Sequence, residues 1–346
     1  MKDAQRKAPG MLDVARAAGV SAQTVSRVLR DHPYVSEDKR RRVLDAVAQL
    51  DYRMNTAASA LSSGRTRTIG VVTMATESYA GAMTQSAIEH AADDMSYSVV
   101  GAQISNVEVD SISAALGRLE RLGAEALILA VPLRTADSRV EAITQRLPTA
   151  TIGGSPVSRA RSLDVDQRTV ARLATEHLLS LGHRTVQHIT GPDDWVDSVE
   201  RTTGWREVLE AEGREVPDAI HGDWSPESGY QAGLRLGADP DVTAIFVASD
   251  EMAFGVVRAL HESGRRVPQD VSIVSVDDVR LAAYCSPALT TVAQPFTELG
   301  RSAVASVTAR LEGHNDPTTD VTLTPELIVR SSTAPPAGTA PPAGSA

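Results

Sequence analysis

The sequence predicts an all-α helix-turn-helix headpiece followed by an α/β core of two doubly wound parallel-sheet subdomains. Three observations support this prediction. Short helical segments fill the first 54 residues, short apolar runs alternate with helical stretches from Thr68, and a second series of this kind follows from Val170. Such alternation is typical of parallel sheets that carry helices on both faces. The chain of 346 residues is long enough for two or three domains with a sizeable core.

The charge is unevenly distributed along the chain. Taken as a whole, the net charge of −10 argues against a nucleic-acid partner. Residues 1–64, however, contain 11 basic and 7 acidic side chains, a net charge of +4, whereas residues 65–346 contain 23 and 37, a net charge of −14. A basic segment attached to an acidic body is typical of a protein in which one domain meets phosphates. Charge alone does not decide between this interpretation and a chance distribution.

Composition also bears on the compartment. A single cysteine, Cys285, excludes a disulfide framework and fits a reducing environment. No stretch of 18 apolar residues occurs, which excludes a transmembrane helix. The first ten residues, MKDAQRKAPG, are not followed by an apolar region, so we expect no secretory signal. The sequence therefore predicts a cytoplasmic protein without a membrane partner.

Three short helices are predicted for the headpiece. Residues 11–18 carry apolar side chains at helical spacing, and Gly19 ends the segment with a turn. Ser21 is a good N-cap for the second helix, because its hydroxyl can accept a hydrogen bond from a first-turn amide. Ser36 can cap a third helix over residues 37–50. The apolar side chains of the third helix that we expect to face inward are Val43, Leu44, Val47 and Leu50.

Two short helices joined by a glycine turn form a helix-turn-helix, whose second helix enters the major groove of DNA. Gln23 can bond adenine through two hydrogen bonds, and Arg27 can do the same with guanine. Thr24 and Ser26 can contact bases or phosphates. A small three-helix bundle with a polar surface is the alternative interpretation of the same pattern.

Residues 13–55, DVARAAGVSAQTVSRVLRDHPYVSEDKRRRVLDAVAQLDYRMN, resemble the DNA-binding headpiece of the LacI/GalR family of bacterial transcription regulators. Gly10, Arg30 and Met54 depart from the family pattern, and none of the three is a recognition residue. The resemblance implies a set of DNA-binding residues on the recognition helix, beside it and in the hinge. This set is Ser21, Ala22, Gln23, Thr24, Ser26, Arg27, Tyr34, Asn55, Ala58 and Leu61.

The hinge lies at residues 55–64, which are mostly small. The resemblance implies that this segment folds into a helix on the operator and inserts Leu61 into the minor groove. Ala58 would lie on the same face one turn earlier, and a leucine wedge of this kind kinks DNA. From composition alone, a flexible linker is the alternative.

The core is predicted from seven buried strands, namely TIGVVT, YSVVGAQ, ALILA, TATIG, RTVQHIT, AIFVAS and VSIVSV. The helices between them are AMTQSAIEHAADD, SISAALGRLERLG, SRVEAITQRL and residues 170–181, 198–212, 228–236 and 250–263. In this architecture ligands bind beyond the carboxyl ends of the strands. Two facing sheets therefore predict a ligand cleft that closes by a hinge.

Segments such as LGHRTVQHITGP, AIFVASDEMAFGVVRAL and RRVPQDVSIVSVDD resemble the effector core of the same family, which is periplasmic-binding-protein-like. The resemblance covers roughly residues 11–331. It implies a headpiece, a hinge, a core of two discontinuous subdomains and a tail. The boundaries are 1–54 for the headpiece, 55–64 for the hinge, 65–332 for the core (N-subdomain about 65–165 and 296–323, C-subdomain about 166–295 and 324–332) and 333–346 for the tail.

The tail is rich in Pro, Gly and Ala, which predicts disorder. It carries no leucine heptads, so nothing indicates a tetramerising coiled coil. We therefore expect a homodimer.

Four aromatic residues, Tyr79, Trp195, Trp224 and Phe296, fall at or near strand-to-helix junctions, where they could stack on a sugar in the cleft. Core packing is the alternative for each of them. The resemblance implies a larger effector-binding set that comprises Met74, Tyr79, Trp195, Arg201, Trp224, Ser249, Asp250, Asp277, Gln294 and Phe296.

Two members of this set have a second interpretation. Asp250 is better placed to cap its helix than to touch a ligand. Arg201 and Asp277 could pair with each other, although a buried ion pair beside an empty cleft is costly and favours a polar ligand. Compared with lactose-responsive members of the family, the cleft has Met74 in place of serine, Gly153 of aspartate, Asn106 of arginine and Asp197 of a small hydroxyl residue. The implied carbohydrate therefore need not be a β-galactoside.

These patterns predict a homodimeric transcription repressor that binds palindromic operator DNA under the control of a small-molecule effector, most simply a mono- or oligosaccharide. A regulator that responds to a purine or another metabolite as corepressor is one alternative, and a sugar-binding receptor is another. The chain shows no phosphate-binding loop, nucleophile elbow or paired metal ligands. We therefore expect no catalytic residues, no metal and no cofactor.

Overall fold

A computed structural model describes residues 9–29, 34–52, 60, 64–75, 78–132, 137–154, 157, 160–314 and 320–337. The chain divides into two compact units, residues 1–66 and residues 67–346. Each unit is described separately below.

The described part of the first unit includes three helices, α1 (Met11–Ala18), α2 (Ala22–Leu29) and α3 (Glu37–Gln49). Their apolar faces meet in one small core. Its buried members are Val14, Ala15, Ala18, Val25, Val28, Val43 and Ala46. The inward positions of α3 follow a helical period, as expected, with one exception. Leu44 is 49% exposed, so its predicted place in this core is wrong.

The ends of these helices are held by specific hydrogen bonds. Gly19 adopts a left-handed conformation at the end of α1 (φ 64°), and the guanidinium of Arg42 donates to the carbonyl oxygens of Ala18 and Gly19. The Ser21 hydroxyl accepts a hydrogen bond from the Thr24 amide at 3.2 Å, which confirms its predicted capping role. Ser36 occupies the N-cap position of α3, but its side chain makes no capping hydrogen bond.

The second unit contains two six-stranded sheets. The strands of the first sheet are β1 (Thr68–Met74), β2 (Ser98–Ile104), β3 (Ala126–Ala130), β4 (Thr149–Ile152), β5 (Arg161–Val165) and β11 (Val321–Leu323), in the order β11-β5-β4-β3-β1-β2. All pairs in this sheet are parallel. The helices associated with it are α4 (Tyr79–Asp94), α5 (Val109–Arg121), α6 (Ser138–Thr144) and α11 (Phe296–Leu311).

The second sheet repeats this order. Its strands are β6 (Gln187–Thr190), β7 (Ile220–His221), β8 (Ala244–Val247), β9 (Ser272–Val276), β10 (Thr290–Ala293) and β12 (Glu326–Ile328), in the order β12-β10-β9-β8-β6-β7. Strand β12 runs antiparallel to β10, and the other described pairs of this sheet are parallel. The accompanying helices are α7 (Gln167–Ser180), α8 (Val196–Ala211), α9 (Pro226–Gly237), α10 (Asp250–Glu262) and a short 3₁₀ helix (Arg280–Ala283).

The chain passes between the two sheets three times. The first crossover joins β5 to α7, the second joins β10 to α11, and the third joins β11 to β12. In both sheets the strand order reverses next to the first strand of the series, which is where parallel α/β sheets bind ligands. The two doubly wound sheets that the sequence predicted are therefore present, each with an added strand from the end of the chain.

Residues 333–337 correct the predicted boundary of the disordered tail. The Ala334 amide donates to the Ser272 hydroxyl at 3.0 Å, and the Ala334 carbonyl lies 3.1 Å from Nε2 of His183. Thr333 is hydrogen-bonded to His177 at 3.1 Å. The ordered core thus extends beyond residue 332, and residues 338–346 lie outside the described part. Within the described ranges, no helix has the length and apolarity needed to cross a bilayer.

Helices α9 and α10 approach each other so closely that glycine is required on both. A Cβ atom on Gly255 would lie 1.9 Å from the carbonyl oxygen of Pro226, and one on Gly229 would lie 2.1 Å from that of Met252. Both obstacles are backbone atoms, which cannot rotate away. This contact fixes the helix that follows Ser249 against the helix that follows Trp224.

We expect Gly255→Ala to lower the free energy of unfolding by about 3 kcal/mol, because the added methyl group forces the two helix backbones apart. Urea unfolding of the purified protein measures this change. Gly117→Ala in α5 is the matched control, since its Cβ would meet only the end of the Arg121 side chain at 3.4 Å. That control should be neutral or more stable by about 0.5–1 kcal/mol. Equal effects of the two substitutions would contradict the close helix contact.

Candidate functional site

The recognition helix α2 presents a polar face. Gln23 and Arg27 are exposed, while Thr24 and Ser26 are half-buried beside Val25 and Val28 of the core. The hydroxyls of Ser21 and Thr24 lie 2.9 Å apart, so the cap fixes the orientation of both side chains. An exposed glutamine and arginine one helical turn apart, next to the helix N-terminus, have the arrangement needed to contact neighbouring base pairs.

The remaining members of the predicted DNA-binding set lie outside this face or outside the described residues. Ala22 begins α2 and is half-buried, and Tyr34 is 87% exposed in the loop before α3. The predicted positions Asn55, Ala58 and Leu61 lie outside the described part of the chain.

The core unit contains a cavity of about 420 Å³ between the two sheets. One wall is formed by the carboxyl ends of β1, β3, β4 and β5, and the opposite wall by the starts of α7, α8 and α10. Of the predicted effector residues, Met74, Tyr79, Trp195, Gln294 and Phe296 line it. The charged side chains among the described lining residues are all acidic: Asp164, Asp197 and Glu251.

Tyr79 and Phe296 form one aromatic wall. They are the first residues of α4 and α11, and their rings meet edge to face with centroids 6.2 Å apart. The amide of Tyr79 donates to the Glu251 carboxylate at 3.3 Å, which joins the N-terminus of α4 to that of α10 across the cavity. A carboxylate at a helix N-terminus is favoured by the unpaired amides there.

Trp195 and Trp224 form a second aromatic group, with centroids 5.8 Å apart in an edge-to-face arrangement. Trp224 lies behind Trp195 rather than in the cavity wall, and its backbone has a positive φ of 73°. Its ring lies on Gly191, where a Cβ would come within 2.1 Å of it. The buried Nε1 of Trp224 has no hydrogen-bond partner within the described structure, so this donor is left unsatisfied there.

Arg201, Gln167, Gln294 and Asp277 form a continuous chain of buried hydrogen bonds, here called the glutamine relay. Arg201 Nε donates to Gln167 Oε1 at 2.8 Å, Gln167 Nε2 donates to Gln294 Oε1 at 2.9 Å, and Gln294 Nε2 donates to Asp277 Oδ1 at 2.6 Å. Arg201 and Asp277, which could have paired directly, are thus joined through two amides. The guanidinium also donates to the Ala248 carbonyl and lies 5.7 Å from the centre of the Trp224 ring.

Asp277 lies at a strained position at the end of β9. Asp277 and Asp278 both have a positive φ, 110° and 53°. Arg330 holds the second of them, with its guanidinium 2.6 Å from Asp278 Oδ1. Strained residues of this kind concentrate at functional sites. Burial raises the pKa of Asp277 to about 7, against the opposing effect of Arg201 and with an added contribution from Asp250.

Ser249 and Asp250 are not brought to the cavity. Ser249 is the N-cap of α10 and accepts a hydrogen bond from the Met252 amide at 3.2 Å, so the capping role proposed for Asp250 belongs to Ser249. Asp250 is fully buried, and its carboxylate accepts hydrogen bonds from Ser275, Thr291 and the Val279 amide. Burial raises the pKa of Asp250 to about 6, although these donors oppose the shift. Its role is to hold β9 and β10 to α10.

Sequence reasoning missed several residues that face the cavity. Gln167 follows Asp166, the N-cap of α7, and nothing in its neighbours marks it as part of a site. Asp164 lies on β5, a strand that was not predicted, and its carboxylate accepts from the Gly154 amide and the Ser162 hydroxyl. Asp197, by contrast, was expected in the cleft and does line the cavity. Burial raises the pKa of Asp197, Arg201 opposes this shift, and Asp164 adds to it.

A helix-turn-helix headpiece and a two-sheet core with a cleft between the sheets define a DNA-binding transcription regulator with an effector-binding core. Residues 10–55 match the model of the bacterial regulatory proteins of the lacI family, and residues 175–333 match that of a periplasmic binding protein-like domain.

The chain is 35% identical to the lactose operon repressor of Escherichia coli (strain K12) over 85% of this chain and 82% of that protein. It is 32% identical to the HTH-type transcriptional regulator CelR of Thermobifida fusca over 95% and 99% of the two chains. The HTH-type transcriptional repressor PurR of Haemophilus influenzae is 30% identical over 92% and 97%. The chain therefore belongs to the LacI family of bacterial regulatory proteins, which confirms the resemblance seen in the sequence.

Solved structures agree with the predicted fold class. The lac repressor dimer bound to operator and the anti-inducer ONPF has a TM-score of 0.81 at 32% identity, over 95% of this chain and 100% of that one. The complex of the regulator CelR with cellobiose has a TM-score of 0.68 at 31% identity, over 94% and 99%. A LacI family regulator from Enterococcus faecium with bound ribose has a TM-score of 0.69 at 26% identity, over 78% and 99%.

We expect Asp277→Asn to stabilise the protein at neutral and alkaline pH, because it removes a buried carboxylate charge and keeps the oxygen that accepts from Gln294. In the folded protein the pKa of Asp277 is raised to about 7, so the wild type loses stability as pH rises from about 4 to 7. The advantage of the variant should grow over that range and stay constant above it. Melting temperatures measured from pH 4 to 9 check this, and a difference independent of pH would contradict it.

Proposed function

We propose that this protein is a cytoplasmic transcription repressor whose affinity for operator DNA is controlled by a small neutral sugar bound between the two sheets of the core. The observation that carries the proposal is the presence, in one chain, of an exposed recognition face on α2 and a cavity with aromatic walls between the two sheets of the core. Binding of the effector would change the relative position of the two sheets, and the three crossovers would carry this movement. No catalytic step is part of the proposal.

The cavity supports a sugar as the class of effector. Aromatic faces stack on the C–H surfaces of a sugar, and carboxylates and amides bond its hydroxyls. Tyr79, Phe296 and Trp195 supply the aromatic surfaces, while Asp197 and Gln294 supply polar groups. Two of the similar solved structures contain cellobiose and ribose. We extend this ligand class to the present chain.

The charges around the cavity restrict the sugar further. Asp164, Asp197 and Glu251 line the described cavity, and Arg201 already donates to Gln167 and Ala248. A phosphate or carboxylate on the ligand would meet repulsion from these groups in a partly desolvated site. A neutral sugar fits this environment better than a sugar phosphate.

DNA recognition is assigned to a homodimer that binds a palindromic operator. Two-fold symmetry lets two copies of α2 contact matching half-sites. The 3₁₀ helix and the residue that follows it support self-association, since Leu281 and Tyr284 are 57% and 85% exposed. The assigned hinge spans residues 55–64, of which Ala60 and Gly64 are described and linked by a hydrogen bond of 2.8 Å.

We expect Gln23→Ala and Arg27→Ala each to reduce discrimination between operator variants, by about 1–3 kcal/mol at the base pair contacted. Genomic fragments selected by the protein supply the operator, and fluorescence anisotropy measures affinity for each single base-pair change at fixed salt. Gln49→Ala, an exposed glutamine on α3, is the matched control and should leave sequence preference unchanged. Affinity that falls equally for all sequences would assign Gln23 and Arg27 to phosphates instead.

We expect one or more of D-glucose, D-ribose and D-cellobiose to change operator affinity, whereas D-glucose 6-phosphate should bind the core at least about tenfold more weakly than D-glucose. Calorimetry on the full chain measures binding, and anisotropy measures the effect on operator affinity. A response to purine bases alone would favour the corepressor alternative. A phosphate ester that binds more tightly than its parent sugar would contradict the charge argument.

A further inference from the structure

We infer that Gln167 is a positioning residue of the effector cleft, which fixes the amide orientation of Gln294 and ties the first crossover to the second. The inference rests on the proposed function for its ligand, but the geometry behind it does not need a ligand. Gln167 was not among the residues expected at the site.

All four members of the glutamine relay are shielded from solvent, since Gln167, Arg201, Asp277 and Gln294 are exposed by 8%, 3%, 8% and 9%. The burial of such polar groups costs free energy unless each of them finds a hydrogen-bond partner. The relay supplies these partners with hydrogen bonds of 2.6–2.9 Å.

The two ends of the relay set its direction. A guanidinium can only donate hydrogen bonds, and an ionised carboxylate can only accept them. Arg201 therefore turns the oxygen of Gln167 toward itself, and Asp277, when it is ionised, turns the NH₂ group of Gln294 toward itself. The remaining bond, from Gln167 Nε2 to Gln294 Oε1, agrees with both ends.

The relay bridges two of the three connections between the sheets. Gln167 is the first residue of α7, directly after the first crossover, and Gln294 lies between β10 and α11 in the second. Both also line the cavity. A movement that separates the crossovers must stretch the bond between the two amides, so this bond links cleft geometry to the connections between the sheets.

The direction of the relay determines what the cavity offers a ligand. Each amide retains one N–H donor and one oxygen lone pair beyond its relay bonds. With Gln167 in place, Gln294 presents them in a fixed arrangement. Without Gln167, the oxygen of the Gln294 amide loses the donor that fixes its orientation. The cavity should then discriminate less sharply between ligands with different arrangements of hydroxyl groups.

The decisive test is Gln167→Glu compared with Gln167→Met. The carboxylate introduced by Gln167→Glu can accept from Arg201, but it cannot donate to Gln294. The Gln294 amide must then turn its NH₂ group toward the new carboxylate and its oxygen toward Asp277, which completes the relay only while Asp277 carries a proton. The other titratable groups that act on Asp277 include Arg201, Asp250, Glu251 and Tyr79, and they are the same in both variants.

We expect the melting temperature of Gln167→Glu to equal or exceed that of Gln167→Met at pH 5 and to fall below it by more than about 4 °C at pH 8. Gln145 is an exposed glutamine at the end of α6, and Gln145→Glu controls for the added charge. This control should leave the pH dependence of the melting temperature as it is in the wild type. A difference between the two Gln167 variants that does not depend on pH would overturn the directional relay.

A second measurement uses the sugar panel. For any of D-glucose, D-ribose and D-cellobiose that the wild type binds, we expect Gln167→Met to weaken binding about tenfold and to narrow the spread of affinities across the panel. Unchanged affinities together with an unchanged spread would overturn the positioning role. If the wild type binds none of the panel, the sugar proposal fails, while the pH comparison still decides the role of Gln167.

Discussion

A guanidinium can be buried only if neighbouring groups compensate both its charge and its N–H donors. Arg201 is 3% exposed, and no carboxylate forms a direct ion pair with it among the described residues. Two of its five N–H donors are taken by Gln167 and the Ala248 carbonyl, and its face lies near Trp224. These requirements of Arg201 explain several structural features beside the cleft. Gly191 must lack a side chain so that Trp224 can lie where it does, and Gln294 must face Asp277 because Gln167 faces Arg201.

The sequence predicted the parts of the fold that depend on local periodicity. Buried central strands such as β3 and β8 are continuous apolar runs, and their helices repeat apolar positions at helical spacing. Strand β5, with the sequence RSLDV, was missed because two of its five residues are charged. The edge strands β7, β11 and β12 span only two or three residues, too few for a pattern to emerge. Each forms because a neighbouring strand offers free backbone groups, which is not a local property.

The site was predictable only where the residue type itself carried the signal. Aromatic residues at strand ends marked Tyr79, Trp195 and Phe296, which line the cavity. Ser249 and Asp250 are adjacent potential caps, and only the backbone geometry shows that the serine caps while the aspartate is buried. The relay could not be predicted, since Gln167 and Gln294 are 127 positions apart and glutamine is common on protein surfaces.

One cluster of buried apolar residues includes members of both sheets, among them Ile128 and Val274, so apolar contact helps to hold the two sheets together. Polar contacts between the two sheets make their relative position more specific, and two of the described contacts lie beside the cavity. Glu251 accepts from the Tyr79 amide across the opening, while Gln167 and Gln294 join the crossovers behind it. Hydrogen bonds depend steeply on angle and distance, whereas apolar contact does not. A molecule that enters the cavity therefore meets some of the groups on which the relative position of the two sheets depends most sharply. It can shift that position by competing for a few donors and acceptors.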